Sequence, residues 1–262
     1  SGLMKMNIRI LIVSFLAVFV WVNCSTAPHS KNQVKKLDTY LLIGQSNMAG
    51  RAAFDENCTD TLTNVFLFVG NPDHEWEGAA VPMNKYSTVR KEIAMQKLNM
   101  GYSFAKTMHE SDPCNHIGLV VIARGGTSID LWMPGQELYN EAVKRAKAAM
   151  EYGNLKGILW HQGESDASKQ QYMPKLLELV RSLRTDLGNA ELPFVAGQLS
   201  KDKSARKNFN DMILTLPANL TNAAVVLSDS TSTIDSTHFD TRSQYLLGVR
   251  YANKMKKLVS NR

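Results

Sequence analysis

A serine hydroxyl becomes a nucleophile when a histidine takes its proton, and the histidine needs a carboxylate to fix its tautomer. This chain offers such a set in two distant places. Ser46 lies in "LLIGQSNMAG", residues 41–50, where Leu41, Leu42 and Ile43 run straight into Gly44, Gln45, Ser46 and Asn47. A turn accounts for Gly44 and Asn47, which tolerate unusual backbone angles, but not for Gln45 and Ser46. Near the other end, in "SDSTSTIDSTHFD", His238 follows Asp235 by three residues, so one tight loop presents both. The chemistry would be acyl transfer, with Ser46 as nucleophile, His238 as base and Asp235 as its carboxylate. Glu164 is the distant rival for the last role; Asp235 is favoured because one short loop leaves less conformational freedom to remove. An oxyanion needs donors. The backbone N–H of Ser46, an N–H of Gly125 or Gly126, and the side-chain amide of Gln162 are the candidates.

Such residues must be carried by a scaffold, and the hydrophobic pattern describes one. Unbroken apolar runs at 39–43, 65–69, 117–123, 157–160, 194–196 and 224–227 predict strands. Between them, apolar residues at spacings of three and four predict helices over 102–110, 137–151, 172–187 and 241–259. The last is expected to bury a stripe of Tyr245, Val249, Ala252 and Met255. Short apolar strands alternating with helices indicate a parallel sheet covered on both faces, an α/β architecture. Ligands in such sheets gather beyond the carboxyl ends of the strands. Polar chemistry should therefore collect where strands stop, and it does: "GQSNMAG", "ARGGTSID", "WHQGESDA" and the Asp235–His238 loop all follow apolar runs. Gln45, Asn47, Arg124, His161 and Trp132 fall in or beside these segments and are expected to meet substrate, Gln45 and Asn47 also supporting the corner at Ser46. Singly, each residue has a plainer reading. A serine after a strand caps a helix, paired glycines make a turn, a lone histidine flanks a helix, His161 and Glu164 make a polar pair, and tryptophans pack. Convergence of four segments on one sheet edge outweighs those readings.

The chain has 262 residues, 44% hydrophobic and 21% charged, enough to bury a core without metals or disulfides. Its net charge of +6 comes from scattered basic residues with no aromatic interleaving, which argues against a nucleic-acid partner. No cofactor is expected, and no metal: CxxC, HExxH and Cys/His spacings are missing from the sequence. Lys5 and Arg9 precede an apolar run over 10–22 and then small residues. That pattern predicts an export signal over 1–27 with cleavage after Ala27, or else lipidation at Cys24, and a periplasmic or extracellular protein. The run is too short for a comfortable membrane span. A polar linker over 28–36 would lead into one domain over 37–262. Cys58 and Cys114, in polar surroundings, are expected to pair in an oxidising compartment.

"GQSNMAG", "WHQGESDA" and "DSTH" together resemble the SGNH hydrolase superfamily, and within it the branch of sialate O-acetylesterases and carbohydrate esterase family six, which includes acetylxylan esterases. The resemblance runs from Tyr40 to the last helix. It implies a flavodoxin-like three-layer α/β/α sandwich with a mainly parallel sheet, no metal, and removal of acetyl groups from acetylated carbohydrate, either xylan-type polysaccharide or O-acetylated sialic acid. It also implies the triad Ser46, His238 and Asp235, with the oxyanion donors at Gly125 or Gly126 and at Gln162. Met48 stands where the second glycine of a GxSxG elbow would be, which argues against a lipase of the α/β-hydrolase fold. Two other readings compete: a non-catalytic carbohydrate-binding protein on the same scaffold, and a lipase or thioesterase of the superfamily.

Overall fold

The computed structural model describes residues 36–260, so the expected export signal, most of the linker and Cys24 lie outside the described residues. Seven strands follow in the order β1 (Leu37–Gly44), β2 (Val65–Asn71), β3 (His74–Gly78), β4 (Ile117–Ala123), β5 (Gly153–His161), β6 (Phe194–Gly197) and β7 (Ala223–Val226). The helices are α1 (Ser46–Ala49), α2 (Gly101–Ser111), α3 (Glu137–Met150), α4 (Tyr172–Asp186), α5 (Lys207–Ile213), α6 (Leu216–Asn219) and α7 (Thr241–Ser260). Across the sheet the strands lie in the order β3-β2-β4-β1-β5-β6-β7, all parallel except β3, which runs antiparallel to β2.

β1 is central and buried on both faces, as its unalternating apolar run requires. Leu41 and Ile43 pack with Leu138 and Ala142 of α3 and Leu176 and Leu179 of α4. Tyr40 and Leu42, pointing the other way, pack with Phe104 of α2 and Leu247, Tyr251 and Met255 of α7. The alternation along one strand thus generates two cores and three layers, the flavodoxin-like α/β/α sandwich. From β1 the chain first builds the β2–β4 side and then returns past β1 to β5, β6 and β7. The carboxyl end of β1 is therefore the point where the connections diverge, which is where such folds hold ligands.

Several elements differ from expectation. β3, "HEWEG", was not expected, because a half-exposed edge strand has no reason to be apolar; Trp76, packed edge-on against Phe68, and Glu77, bound by Tyr86 and Lys85 at 2.6 Å each, tie it down. β5 starts at Gly153, four residues early, because its first residues pair with β1 while alternating between buried and solvent-facing, so they form no unbroken apolar run. The buried stripe of α7 is Gln244, Leu247, Gly248, Tyr251, Ala252 and Met255, while Val249 is exposed. Cys58 does not pair with Cys114: it is a free thiol, fully buried. Its Sγ accepts from the Asp55 N–H at 3.4 Å and donates to the Asp55 carbonyl at 3.3 Å, closing a short turn against Tyr245 rather than lying in an open loop. Among the described residues no helix is long and apolar enough to cross a membrane.

Candidate active site

β1 presses its last residue against β5. A Cβ on Gly44, whose φ is +147°, would lie 2.1 Å from the His161 carbonyl oxygen, so only glycine fits where the two strand ends meet. The Gln45 N–H then donates to that carbonyl at 3.0 Å, and α1 begins at Ser46. The chain thus leaves the core abruptly and fixes the Ser46 side chain at the sheet edge, 6% exposed.

The distant loop meets it there. Ser46 Oγ donates to His238 Nε2 at 2.9 Å, and His238 Nδ1 donates to Asp235 Oδ2 at 2.6 Å. Asp235 also folds the loop itself, its Oδ1 accepting from the Thr237 N–H at 3.0 Å and the His238 N–H at 2.7 Å. Burial pushes this carboxyl up, but the hydrogen bonds from His238 and Thr237 and the nearby imidazole outweigh it and hold the pKa at about 2. The loop is clamped from both sides. Asn47 accepts from the Phe239 N–H at 3.0 Å and donates to the Thr237 carbonyl at 3.2 Å. Arg206, itself buried, donates to the Ser236 carbonyl at 2.9 Å and to Thr237 Oγ1 at 3.0 Å. Ser236 sits at φ +62°, a left-handed conformation that a non-glycine residue holds only when its neighbours fix it.

Glu164 does not reach the imidazole. Its Oε1 accepts from Asn47 Nδ2 at 2.5 Å, and its Oε2 is buried without a hydrogen bond. Burial raises its pKa, against the opposing pull of its own N–H, the Asn47 amide, Arg206 and His238. It acts on the loop through Asn47. Gln162 is not placed as an oxyanion donor either. Both hydrogens of its amide are spent inside the protein, on the Thr127 carbonyl at 3.0 Å and on Asp166 Oδ2 at 2.5 Å, and the residue is 1% exposed. Asp166 in turn accepts from the Ile129 N–H at 2.8 Å, so Gln162 braces the Gly125–Gly126 loop against β5. Strand-end position marked Gln162 as polar; only packing shows that its side chain points inward.

Four expected substrate contacts likewise do not line the cavity at Ser46. Trp132 is fully buried, donating to Thr127 Oγ1 at 3.1 Å and meeting Trp160 edge-on. His161 is fully buried between Phe239 and Tyr251, its Nδ1 3.0 Å from the Tyr251 hydroxyl, and burial lowers its pKa to about 3, so it is neutral. Arg124 does not line the cavity at Ser46; its backbone does the local work, accepting from Thr127 Oγ1 at 2.8 Å. Asn47 is fully buried and supports the corner without meeting substrate.

A cavity of about 390 Å³ opens over Ser46 and His238. Gln45, Gly125, Gly126 and Glu164 line it, and so do residues that sequence reasoning passed over: Arg51, Lys91, Met95, Lys203 and Arg206. None of these five carries a motif of its own, though Arg51 directly follows "GQSNMAG". A Cβ on Gly125 would lie 3.4 Å from Ser46 Cβ, which places this glycine against the Ser46 side chain. Among the described residues, the N–H groups of Ser46, Gly125 and Gly126 find no acceptor. Gln45 turns its Oε1 toward the N–H groups of Gly163 and Ser165, at 3.3 and 3.4 Å, and its amide nitrogen has no partner among the described residues. Ser46, Gly125, Gly126 and Gln45 all line the cavity, so donors of the kind an oxyanion needs are present there. A larger cavity of about 830 Å³ lies at the opposite, amino-terminal edge of the sheet, lined by Tyr152, Lys156 and Leu187, with no serine or histidine. Among the described residues, no cluster of three or more His, Cys, Asp or Glu could hold a metal ion.

The chain is similar to known proteins. A family model described as carbohydrate esterase, sialic acid-specific acetylesterase matches residues 36–257. The probable carbohydrate esterase At4g34215 of Arabidopsis thaliana is 28% identical over 248 residues, covering 86% of this chain and 92% of that protein. The crystal structure of Arabidopsis thaliana AT4G34215 superposes with a TM-score of 0.74 at 25% identity, over 86% of this chain and 99% of that one. XAC1771, a carbohydrate acetylesterase from Xanthomonas citri, gives a TM-score of 0.65 at 21% identity over 86% of this chain and 57% of its own, and speaks to the fold alone.

Proposed function

The chain belongs to the carbohydrate esterase, sialic acid-specific acetylesterase family, and from that premise we propose that it removes O-acetyl groups from sugars through an acetyl-enzyme on Ser46. It is a carbohydrate O-acetylesterase, a carboxylic ester hydrolase; the nucleophile, the acid–base pair and the sugar are what the proposal adds. The observation that carries it is the continuous relay from Ser46 Oγ through His238 to Asp235, opening on a cavity lined by several charged residues.

Ser46 Oγ attacks the acetyl carbonyl carbon while its proton passes to His238 Nε2. The carbonyl oxygen becomes an oxyanion held by the N–H groups of Ser46 and Gly125 and by the Gln45 amide. The C–O bond to the sugar then breaks, and His238 gives its proton to the departing sugar oxygen. Water attacks the acetyl-serine with His238 taking its proton; the second oxyanion collapses, Ser46 Oγ recovers the proton, and acetate leaves. Asp235 keeps Nδ1 protonated throughout, so Nε2 is always the nitrogen that exchanges protons with Ser46. O-acetylated sialic acid is the first substrate class to test, with acetylated xylan beside it. Acetate release from either, abolished by a serine-reactive phosphonate that labels Ser46, is the expected result. Labelling at another residue, or no acetate from either, would overturn the reading. Export belongs to the same proposal, supported by the charged and apolar pattern of residues 5–22; recovery of the chain only from cytosol would remove it.

The two glutamines give a sharp check on the oxyanion hole. Gln45→Ala is expected to lower kcat by about 10²–10³ with little change in KM, as loss of a side-chain oxyanion donor does. Gln162→Ala is expected to act on stability instead. It leaves the Thr127 carbonyl and Asp166 short of a donor, a cost of about 1–3 kcal/mol in unfolding free energy. Steady-state kinetics and denaturant melts of both variants separate the roles, and a reversed pattern would return the donor to Gln162.

A further inference from the structure

The cavity wall beside Gly125 holds a cation without an anion. Arg51 Nη1 donates to two backbone carbonyls, Gly50 at 2.6 Å and Met95 at 3.0 Å, which fixes the guanidinium in place. Its Nη2 lies 2.5 Å from where a Gly125 Cβ would be, the same point that is 3.4 Å from Ser46 Cβ, so the free edge of the guanidinium stands beside the nucleophile. Lys91 Nζ follows on the same wall, 3.6 Å from where a Gly126 Cβ would be. Among the described residues neither cation has a carboxylate within ion-pair distance. A half-buried guanidinium without a counter-ion carries an uncompensated desolvation cost, which an anionic ligand would offset with paired, charge-assisted hydrogen bonds. Arg206 and Lys203, across the cavity, are committed to the Asp235–His238 loop through Thr237 and are not equivalent to this pair.

We propose that Arg51, with Lys91, forms a carboxylate subsite that binds the acid group of the sugar whose acetyl ester lies at Ser46. Resting on the esterase reading, it separates the two sugar classes left open there: an acidic sugar fits the wall, and neutral acetylated xylan leaves it unused. Carboxylate is the chemistry that sialic acids and uronic acids share, and the test takes both as separate arms.

Binding isolates the subsite from turnover. N-acetylneuraminic acid, glucuronic acid and the methyl ester of each are titrated into Ser46→Ala protein and into the same protein carrying Arg51→Met, Arg51→Lys or Lys91→Met. One of the free acids should bind at least about tenfold more tightly than its methyl ester. Arg51→Met should erase that preference, Arg51→Lys should restore part of it, and Lys91→Met should weaken it; which acid binds identifies the source. Equal affinity for acid and ester with both sugars overturns the subsite, as does a preference that survives Arg51→Met. Because no bond is broken, these outcomes stand apart from a failure to release acetate, which would count against the esterase reading alone. In turnover by the Arg51→Met variant with Ser46 intact, kcat/KM on the acidic substrate should fall at least about tenfold further than on p-nitrophenyl acetate; parallel losses would mark Arg51 as part of the catalytic scaffold instead.

Discussion

Replacing Ser46 with alanine is expected to reduce kcat on the order of 10⁶-fold while the protein folds as before. The hydroxyl makes one hydrogen bond, to His238 Nε2. His238 keeps its other anchors, the Asp235 carboxylate on Nδ1 and on its own N–H, so the loop holds its shape without the serine. Residual hydrolysis would come from the oxyanion donors acting on water alone, the portion of catalysis that survives loss of a triad member. Single-turnover acetate release, with circular dichroism to confirm folding, checks it; a folded alanine variant retaining even a tenth of the wild-type rate would remove Ser46 from the chemistry.

Asp235→Asn should be the next most damaging change, reducing kcat about 10⁴-fold. Asparagine retains the Oδ1 that accepts the Thr237 and His238 N–H groups, so the turn survives. What changes is the atom facing the imidazole. An amide N–H in place of Oδ2 favours the tautomer with hydrogen on Nε2, and a protonated Nε2 cannot take the proton from Ser46. Glu164→Gln should cost far less, since Glu164 touches Asn47 and not His238. If both variants fold and the order is reversed, the orienting carboxylate is Glu164. The pH dependence carries a matching sign. With a pKa held at about 2, below that of an unfolded-chain aspartate, Asp235 binds its proton less readily when folded. Its stabilising interactions are complete above the unfolded pKa and are lost as pH falls toward 2. An acid limb of kcat/KM well above that range therefore belongs to another group. The Asp235 side chain is 48% exposed, so solvent screens this contribution and the effect should appear in kinetics more than in unfolding.

The fold class was legible because burial on both faces leaves a mark that needs no partner to read. A strand such as Leu37–Gly44 must be apolar throughout, and a helix lying on a sheet must repeat every three or four residues. β3 left no such mark, because a half-exposed edge is free to be "HEWEG". That Ser46, Asp235 and His238 make one candidate set was equally readable, since acyl transfer needs those groups together, and the structure joins them by hydrogen bonds. Which polar residue faces the cavity and which faces the core was a different matter. Gln45 and Gln162 both follow a strand, yet Gln45 lines the cavity at Ser46 while Gln162 spends its amide on Thr127 and Asp166. Cys58, polar-flanked in sequence, is buried, and so is Trp132. Arg51 and Lys91 reach the cavity from loops and Arg206 from a single 3-10 turn, none of which carries a hydrophobic period. Period and composition report how much of an element is buried, which the chain encodes locally. The direction of a single side chain beyond a strand end depends on what packs against it from more than a hundred residues away, as Asp235 and His238 do against Ser46, and that is settled only when the sheet has brought those segments together.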